Sequence, residues 1–536
     1  MKSIEEILLE LVSIQSDTGT EMECDIAKVI YDMIAEERYF KNHREHFGAF
    51  EDGDVFKRPV IWALKKGNSK KTIILMGHYD AVEIETYGTL KEYALNPVLL
   101  KSKFKEIDYI GNEIKEDLNS EDWAFGRGIA DMKSGVAINL HVLLTNENED
   151  INILFIAVPD EENMSSGAIQ SIKLYHMLKE KFNLDYKLCI ISEPQFRSVE
   201  ENEEYHIYEG STGKILPIIM AKGILSHAAE IYNGLNSGFI ISEIIRNIEL
   251  TTDMISEDRG VFTQPPTVQI FKDLKKTYDV SLPEYSVACF NILFLKNKSP
   301  LSIINDLLNI SKKSLDYVVC RYNESFDIMK EKGFIKEEKR KIFNTQVFTL
   351  DQLEEYVKVN NPNFSEIKRN LELEIDKNIK NKNMTLQDAS IHYMKVMLES
   401  ATINQPVVVV GVAPPYYPAV CNFFLDKDIR YIMDGLSEYM KSLYGIGTKS
   451  IAYLSGMCDM SYMNSSDPLE ERKLLDNLVL PSSIYNIPIE DIANLNIPTL
   501  MIGPACKDVH QLGERVYMPD VKERIPMIFN KIINNL

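Results

Sequence analysis

Residues 71–80 read KTIILMGHYD, an apolar run that ends in Gly77, His78, Tyr79 and Asp80. Continuous apolar runs are typical of strands that are buried on both faces, and active sites collect at the carboxyl ends of such strands. His78 and Asp80 are two residues apart, so their side chains can point to the same side as the chain leaves the strand. This pair suits a metal-bound histidine that a carboxylate holds in place. The sequence therefore predicts a site at the end of this strand.

The bulk composition is that of a soluble globular protein with more than one domain. The chain has 536 residues, of which 45% are hydrophobic and 26% are charged, and its formal net charge is −21. A chain of this length is longer than one hydrophobic core usually accommodates. The negative charge argues against nucleic acid or an anionic membrane as a partner. The seven cysteines have no C-x-x-C spacing, no signal peptide is recognisable, and no apolar segment reaches the ~20 residues that span a bilayer. We therefore expect a cytoplasmic protein with reduced thiols.

Strand-like and helix-like segments alternate in the first part of the chain. This alternation predicts an α/β layer with a largely parallel sheet over residues 1–212. Apolar strands return at residues 406–412 and 497–502. We therefore expect residues 404–536 to complete the same domain.

The middle of the chain has a different character. Residues 213–330 contain strands with fewer intervening helices, which predicts an inserted α+β domain. Residues 331–403 are rich in Lys, Glu and Asn. Charged stretches of this kind usually form solvated helices, so this part is predicted to be a charged helical extension of one of the two domains.

Four further segments place histidine or carboxylate side chains at strand ends or in loops. These residues are Asp131 in GRGIADMK, Glu161 and Glu162 in VPDEE, Glu193 in IISEP and His510 in KDVHQLGE. Histidine and carboxylate ligands suit zinc, manganese or cobalt. Two histidines and three or more carboxylates exceed the ligands of one zinc ion and match two ions about 3.5–4 Å apart that share a carboxylate. A carboxylate outside the ligand set would then be available as a general base.

The order of these motifs resembles that of the aminoacylase, glutamate carboxypeptidase and acetylornithine deacetylase family of zinc metallohydrolases. H-x-D is followed by G-R-G-x-x-D-M-K, by E-E, by an acidic residue before proline and by a late histidine. The resemblance covers almost the whole chain, and the chain length and the lead-in Trp123-Ala124-Phe125 are most similar to the arginine utilisation protein branch. It implies an α/β fold, with an aminopeptidase-like three-layer αβα catalytic domain and an inserted α+β lid domain.

The resemblance implies metal-binding roles for five residues. They are His78 and Glu193 for the first ion, Glu162 and His510 for the second, and Asp131 as the bridge between both. The implied cofactor is two divalent ions, with zinc as the expected metal and manganese or cobalt as alternatives. The resemblance also implies a cis peptide bond after Asp131.

The inserted domain carries a stretch, GILSHAA, that resembles the histidine motif of the family's lid. By this resemblance His227 would stabilise the oxyanion at the scissile carbonyl, in some relatives across a homodimer formed through the lid. The implied substrate-binding residues are Asn236, Gly456 and Asp459. Many relatives bind the substrate carboxylate with a lid arginine, but the aligned stretch of residues 290–294 has leucine in its place.

The remaining roles concern proton transfer. By the same resemblance Glu161 would be the general base and acid, and Asp80 would hydrogen-bond His78 and set its tautomer. The sequence thus predicts a two-metal hydrolase that cleaves an amide or peptide bond of a small amino-acid-derived substrate, in arginine or amino-acid catabolism. The alternative is a catalytically silent metal-binding or regulatory protein that keeps the fold. The loss of the lid arginine motivates this alternative, whereas the retention of Glu161 favours the enzyme.

Overall fold

The computed structural model describes residues 2–107, 111–335, 340–422, 425, 427–465 and 467–536, which form two compact units. The first unit comprises Met1–Ser211, Val420–Ser466 and Glu490–Leu536, and the second comprises Thr212–Ala419 and Asp467–Ile489. Among the described residues, none of the helices combines the length and the apolar character that crossing a membrane requires.

Strands and helices are numbered in chain order. The strands are β1 (Phe47–Phe50), β2 (Val60–Lys65), β3 (Lys71–His78), β4 (Trp123–Phe125), β5 (Asn152–Val158), β6 (Asp185–Ile191), β7 (Tyr205–Tyr208), β8 (Gly210–Ser211), β9 (Gly213–Lys222), β10 (Glu257–Asp258), β11 (Val261–Phe262), β12 (Thr267–Asp273), β13 (Tyr285–Phe294), β14 (Gln346–Thr349), β15 (Val407–Tyr417), β16 (Val420–Cys421), β17 (Thr448–Ile451), β18 (Thr499–Met501), β19 (Cys506–Lys507) and β20 (Arg515–Tyr517). The helices are α1 (Ile4–Val12), α2 (Glu23–Glu36), α3 (Arg38–Asn42), α4 (Pro97–Phe104), α5 (Asn112–Leu118), α6 (Ser134–Thr145), α7 (Ser166–Phe182), α8 (Ser237–Ile248), α9 (Pro300–Glu331), α10 (Leu350–Asn360), α11 (Phe364–Lys380), α12 (Leu386–Ser400), α13 (Lys427–Tyr444), α14 (Pro468–Leu475), α15 (Ile489–Leu495) and α16 (Ile525–Ile533).

The first unit is built on a mixed sheet with the strand order β1-β2-β5-β3-β6-β18-β7-β17. At its centre β3 pairs in parallel with β5 and β6, and β18 pairs in parallel with β6. Ile73 and Leu75 of β3 belong to a hydrophobic core that includes helix α6. Met76 points to the opposite face by strand alternation and accepts a hydrogen bond from the Tyr175 hydroxyl of α7 at 3.5 Å. Helices therefore lie on both faces of the sheet, and the predicted αβα architecture is confirmed.

The second unit contains a smaller sheet with the strand order β12-β13-β9-β15-β14. The pairs are antiparallel except for β14 and β15, which run in parallel. Leu216, Ile218 and Met220 of β9 form one hydrophobic cluster with residues of α10, α11 and α12. Helices α8 and α9 also pack against strands of this sheet.

The charged stretch of residues 331–403 belongs to the second unit, although residues 336–339 lie outside the described part. Its helices α10, α11 and α12 bury apolar residues such as Leu353, Ile375 and Met394 in the cluster over β9. The stretch is therefore not a solvated decoration alone, because each helix contributes one apolar face to the core of this unit.

The strand at residues 406–412 was expected in the sheet of the first domain, and that placement is wrong. It is part of β15, which pairs with β9, so that Val409 lies opposite Met220 in the second unit. The chain consequently returns to the first unit at Val420 rather than at residue 404, and Asp467–Ile489 belongs again to the second unit. An apolar run indicates burial on both faces of a sheet, but it carries no information about which sheet the strand joins.

Candidate metal centre

The candidate site lies in the first unit, at the carboxyl ends of three neighbouring parallel strands. His78 is the last residue of β3 and lies opposite Val158, the last residue of β5. Glu161 follows β5, and Glu193 follows β6, whose Ile191 lies opposite Met76 of β3. Parallel pairing in register brings these three chain segments to one edge of the sheet, as the sequence pattern predicts.

The imidazole of His78 is buried among carboxylates. Its Nε2 lies 3.0 Å from Asp131 Oδ1, 3.6 Å from Glu193 Oε1 and 4.0 Å from Glu161 Oε2. On the other side of the ring, Nδ1 lies 3.1 Å from the backbone oxygen of Asp80 and 3.4 Å from Asp80 Oδ1. A proton on Nδ1 would therefore be shared with Asp80, which leaves Nε2 free to face the carboxylate cluster.

His510 faces the same cluster from a loop near the C-terminus. Its Nε2 lies 2.8 Å from Glu162 Oε1 and 3.4 Å from Asp131 Oδ2. The two carboxylate oxygens of Asp131 thus face two different histidines, since Oδ1 is the oxygen nearest to His78. Asp131 is placed between the two halves of the cluster.

Two groups of side chains are arranged so that each could hold a metal ion. His78, Asp131 and Glu193 form one group, and Asp131, Glu162 and His510 form the other, with the ligand atoms of each group within 4.8 Å of one another. Asp131 belongs to both groups, and Glu161 belongs to neither. Nitrogen and oxygen donors in this arrangement suit zinc, manganese or cobalt.

The electrostatics of the cluster also fit a pair of cations. Burial and the neighbouring carboxylate of Glu193 raise the pKa of Glu161 well above its usual value, and burial does the same for the pKa of Glu193. Glu193 Oε1 is buried and has no hydrogen-bond partner among the described residues. The carboxylates of Asp131 and Glu162 raise the pKa of His510 to about 10. These carboxylates are buried, repel one another and include an oxygen without a hydrogen-bond partner. A bound cation would stabilise their ionised forms.

Asp80 makes more contacts than its predicted contact with His78. Its carboxylate accepts hydrogen bonds from the backbone N–H groups of Glu161 at 3.1 Å and Glu162 at 3.2 Å. It also accepts one from the Thr18 hydroxyl at 2.8 Å. Asp80 therefore connects the orientation of His78 to the position of the Glu161–Glu162 loop.

Asp131 lies on a loop of unusual backbone geometry that leads into helix α6. The Asp131–Met132 peptide bond is cis, so the bond predicted from the resemblance is confirmed. At Gly135, the second residue of α6, an added Cβ would lie 2.3 Å from the backbone oxygen of Ser192. Only glycine allows α6 to approach the segment that carries Glu193 this closely.

A buried ion pair that no sequence motif indicates joins the loops of Asp131 and His510. Arg127 Nη1 donates to Glu514 Oε2 at 2.6 Å, and both side chains are about 1% exposed. Glu514 Oε1 accepts a hydrogen bond from the backbone N–H of Ala130 at 3.2 Å, and Arg127 Nη2 donates to the backbone oxygen of His510 at 3.4 Å. Arg127 lies in the recognised GRG stretch and Glu514 lies four residues after His510, which are the only local signals.

A second buried network supports the loop of Glu161 and Glu162. Arg58 Nη1 lies 2.7 Å from Glu23 Oε1 and 2.8 Å from Asp160 Oδ1. Glu23 Oε2 also accepts a hydrogen bond from the Asp160 N–H at 2.9 Å. Asp160 has a φ of +67°, a conformation that is costly for a residue with a side chain, and these contacts hold it there.

The four remaining predicted residues lie outside both ligand groups. His227 and Asn236 belong to the second unit, where His227 is exposed and Asn236 Oδ1 caps helix α8 by accepting from Gly238 N–H at 2.8 Å. Asp459 belongs to the first unit and is buried, and burial raises its pKa to about 7. Gly456 lies three residues before it in the same unit. The structure thus gives Asn236 a helix-capping contact that the resemblance did not anticipate.

Comparison with known proteins identifies the family. Residues 74–470 match the model of the family described as "Peptidase family M20/M25/M40". It is 31% identical over 539 residues to the uncharacterized protein YqjN of Bacillus subtilis, with 99% of this chain and 95% of that protein covered. It is 26% identical over 545 residues to Protein RocB of the same organism, with 98% and 94% covered.

Solved structures of low sequence identity share the fold. Aminopeptidase PepT from Bacillus cereus has a TM-score of 0.51 at 13% identity, with 99% of this chain and 97% of that chain covered. A tripeptidase from Staphylococcus aureus has a TM-score of 0.50 at 12% identity, with 99% and 96% covered.

The family match spans well over half of the sequence, and it confirms the predicted class of metal-dependent amide-bond hydrolase. The chain therefore belongs to the peptidase family M20/M25/M40.

Proposed function

We propose that this protein uses two divalent metal ions to hydrolyse an amide or peptide bond in a small amino-acid-derived substrate. The observation that carries the proposal is the pair of ligand groups that share Asp131, with Glu161 beside them but outside both. His78 and Glu193 would hold one ion, and Glu162 and His510 the other. Zinc fits these donors, and manganese or cobalt are alternatives.

Two ions bound there would lower the pKa of a water molecule and polarise the scissile carbonyl. The chain itself supplies the proton transfer. Glu161 has a pKa that burial raises well above its ordinary value, which suits a group that must take up a proton and then release it. We assign to its carboxylate the removal of a proton from the attacking water and its delivery to the leaving amine. Asp80 would keep His78 and the backbone of Glu161 in place during these steps.

Metal removal is expected to abolish activity, and substitution of one histidine at a time should distinguish the two ligand groups. Chelation followed by dialysis should reduce turnover of dipeptides and N-acyl amino acids to background, and about two equivalents of zinc, manganese or cobalt should restore it. His78→Ala should then retain about one ion per chain, and so should His510→Ala, because each histidine belongs to one group only. Metal content measured by mass spectrometry checks this. Two ions retained in either variant would contradict the assigned ligands.

His227 is proposed to stabilise the oxyanion, as the lid motif implies. Its Nδ1 accepts a hydrogen bond from the Ala229 N–H at 3.1 Å, so the neutral ring carries its proton on Nε2 and can donate from there. A homodimer formed through the second unit would let His227 act on the site of the partner copy. Sedimentation of the intact protein tests whether that dimer exists.

His227→Ala is expected to lower kcat by about 10²-fold, the typical cost of removing one oxyanion donor. The metal content and the thermal unfolding temperature should stay unchanged, because His227 is exposed and lies outside both ligand groups. His176→Ala, which changes a partly exposed histidine of α7 outside both ligand groups, is the control and should leave kcat unaltered. Equal kcat values for the two variants would remove His227 from the mechanism.

The substrate class is proposed from the resemblance to the arginine utilisation branch and from the likeness to Protein RocB. A small amino-acid-derived amide in arginine or amino-acid catabolism is the resulting expectation. The leucine in the place of the usual lid arginine favours substrates that do not depend on a free α-carboxylate. A screen of dipeptides, N-acyl amino acids and amino-acid amides with the metal-loaded protein tests it. Turnover of none of them would favour a silent metal-binding protein instead.

A further inference from the structure

The second unit contains a cavity of about 280 Å³ whose lining residues come from α10, α11 and α12 and from the end of α14 together with the segment that follows it. All of these residues belong to the second unit, and none is a proposed metal ligand. We propose that this cavity binds a free zwitterionic amino acid with a short apolar side chain. Binding in this cavity would not depend on the proposed hydrolysis.

The basic part of the lining is suited to a carboxylate. Lys368 Nζ donates to Glu354 Oε2 at 2.6 Å, and Glu354 Oε1 accepts from the Tyr393 hydroxyl at 2.5 Å. Both oxygens of Glu354 are therefore engaged in the wall of the cavity. A lysine ammonium has three N–H donors, so Lys368 can hold Glu354 and still donate to a ligand. Arg472 adds a second cation to the same lining.

The acidic part of the lining is suited to an ammonium group. Asp351 and Asp476 line the cavity with exposed carboxylates. Asp351 accepts a hydrogen bond from the Thr349 hydroxyl, and Asp476 Oδ1 lies 3.4 Å from Arg472 Nε. Carboxylates and cations in one small cavity match a ligand that carries both charges better than a simple anion or cation.

The volume of the cavity and its apolar lining narrow the range of suitable ligands further. Leu350, Leu478, Val479 and Leu480 line the cavity and are buried residues of this unit. They offer a place for a short apolar side chain next to the charged groups. Ligand pockets typically enclose about 300–1,000 Å³, so a cavity at the lower limit fits a single amino acid better than a peptide. Helices α10, α11 and α12 of the charged stretch supply five of the sixteen lining residues, and Glu354, Lys368 and Tyr393 are among them.

The test measures binding of free L-alanine, L-valine and L-leucine to the full chain by titration calorimetry. The protein carries His78→Ala and is kept in chelator, so that binding at the metal centre does not contribute. We expect saturable binding of at least one of these amino acids with one site per chain. The corresponding amino alcohol and N-acetyl amino acid each lack one charge and should bind at least about ten-fold more weakly.

Variants locate the site. Lys368→Met should weaken binding by about ten-fold or more, whereas Lys380→Met, on the same helix but exposed and paired with Asp376, should leave it unchanged. If Lys368→Met fails to fold, Arg472→Met decides, since Arg472 is an exposed cation of the same lining. The proposal is overturned if no amino acid of the panel binds, if the single-charge analogues bind equally well, or if the deciding variant binds like Lys380→Met.

Discussion

Glu161→Gln is expected to reduce kcat by about 10³-fold, within the range that general acid–base catalysis usually contributes. Glutamine keeps the size of the side chain but cannot take a proton from the attacking water. Glu161 Oε2 is 4.0 Å from His78 Nε2, and Glu161 lies outside both ligand groups, so the metal content should stay at the wild-type value. Values of kcat and kcat/KM should fall together, because the lost interaction belongs to the transition state. Steady-state kinetics and metal analysis of the same preparation give both measurements.

The matched control for this substitution is Glu180→Gln, which changes an exposed glutamate of α7. It should leave kcat and metal content unaltered. If Glu161→Gln retained wild-type kcat with both ions bound, the proton would be moved by another group. If it lost an ion, Glu161 would be a ligand rather than the general base. The two failures are distinguishable, because the first concerns catalysis and the second concerns metal binding.

The central part of the site could be predicted from the sequence because its signals are local. His78, Glu161 and Glu193 each follow an apolar run, and parallel pairing of these runs brings their ends to one edge of the sheet. His510 has no comparable strand signal, since its place near Asp131 depends on contacts between segments that are distant in the sequence. The sequence marks His510 only as a histidine in a loop, and its role as a ligand of the second ion follows from the order of motifs in the resemblance.

The supporting contacts could not be predicted for the same physical reason. Arg127 and Glu514 are 387 residues apart, and residues of these types are found mostly at protein surfaces. Their pairing is visible only when the two loops are placed together. The position of β15 gives a parallel example, because its apolar residues indicate burial on both faces and are equally compatible with either sheet.

The Arg127–Glu514 pair carries the second large effect that we expect. Arg127→Met removes the cation and leaves the Glu514 carboxylate buried without it, a situation that typically costs about 3–5 kcal/mol. Glu514 also holds the backbone of Ala130, the residue before Asp131. Removing the ion pair should therefore lower the free energy of unfolding of the metal-free protein and weaken metal binding by about 10–100-fold, as is usual for groups that orient ligands. Urea unfolding and metal titration measure the two effects.

Glu514→Gln alone and in combination with Arg127→Met shows whether the buried pair acts as a unit, and a third variant is the control. The double variant Arg127→Met with Glu514→Gln removes both charges, so its loss of stability should be smaller than the sum of the two single losses. Arg321→Met is the control on an ion pair of the same chemistry, since Arg321 Nη1 lies 2.8 Å from Glu324 Oε2 and the two side chains are 56% and 50% exposed. An exposed pair of this kind contributes about 0–1 kcal/mol to the free energy of unfolding, so the stability of this variant should remain close to that of the wild type. If Arg127→Met loses no more stability than Arg321→Met and binds metal normally, the ion pair has no part in positioning Asp131. A large loss of stability with unchanged metal affinity would limit its role to holding the two loops together.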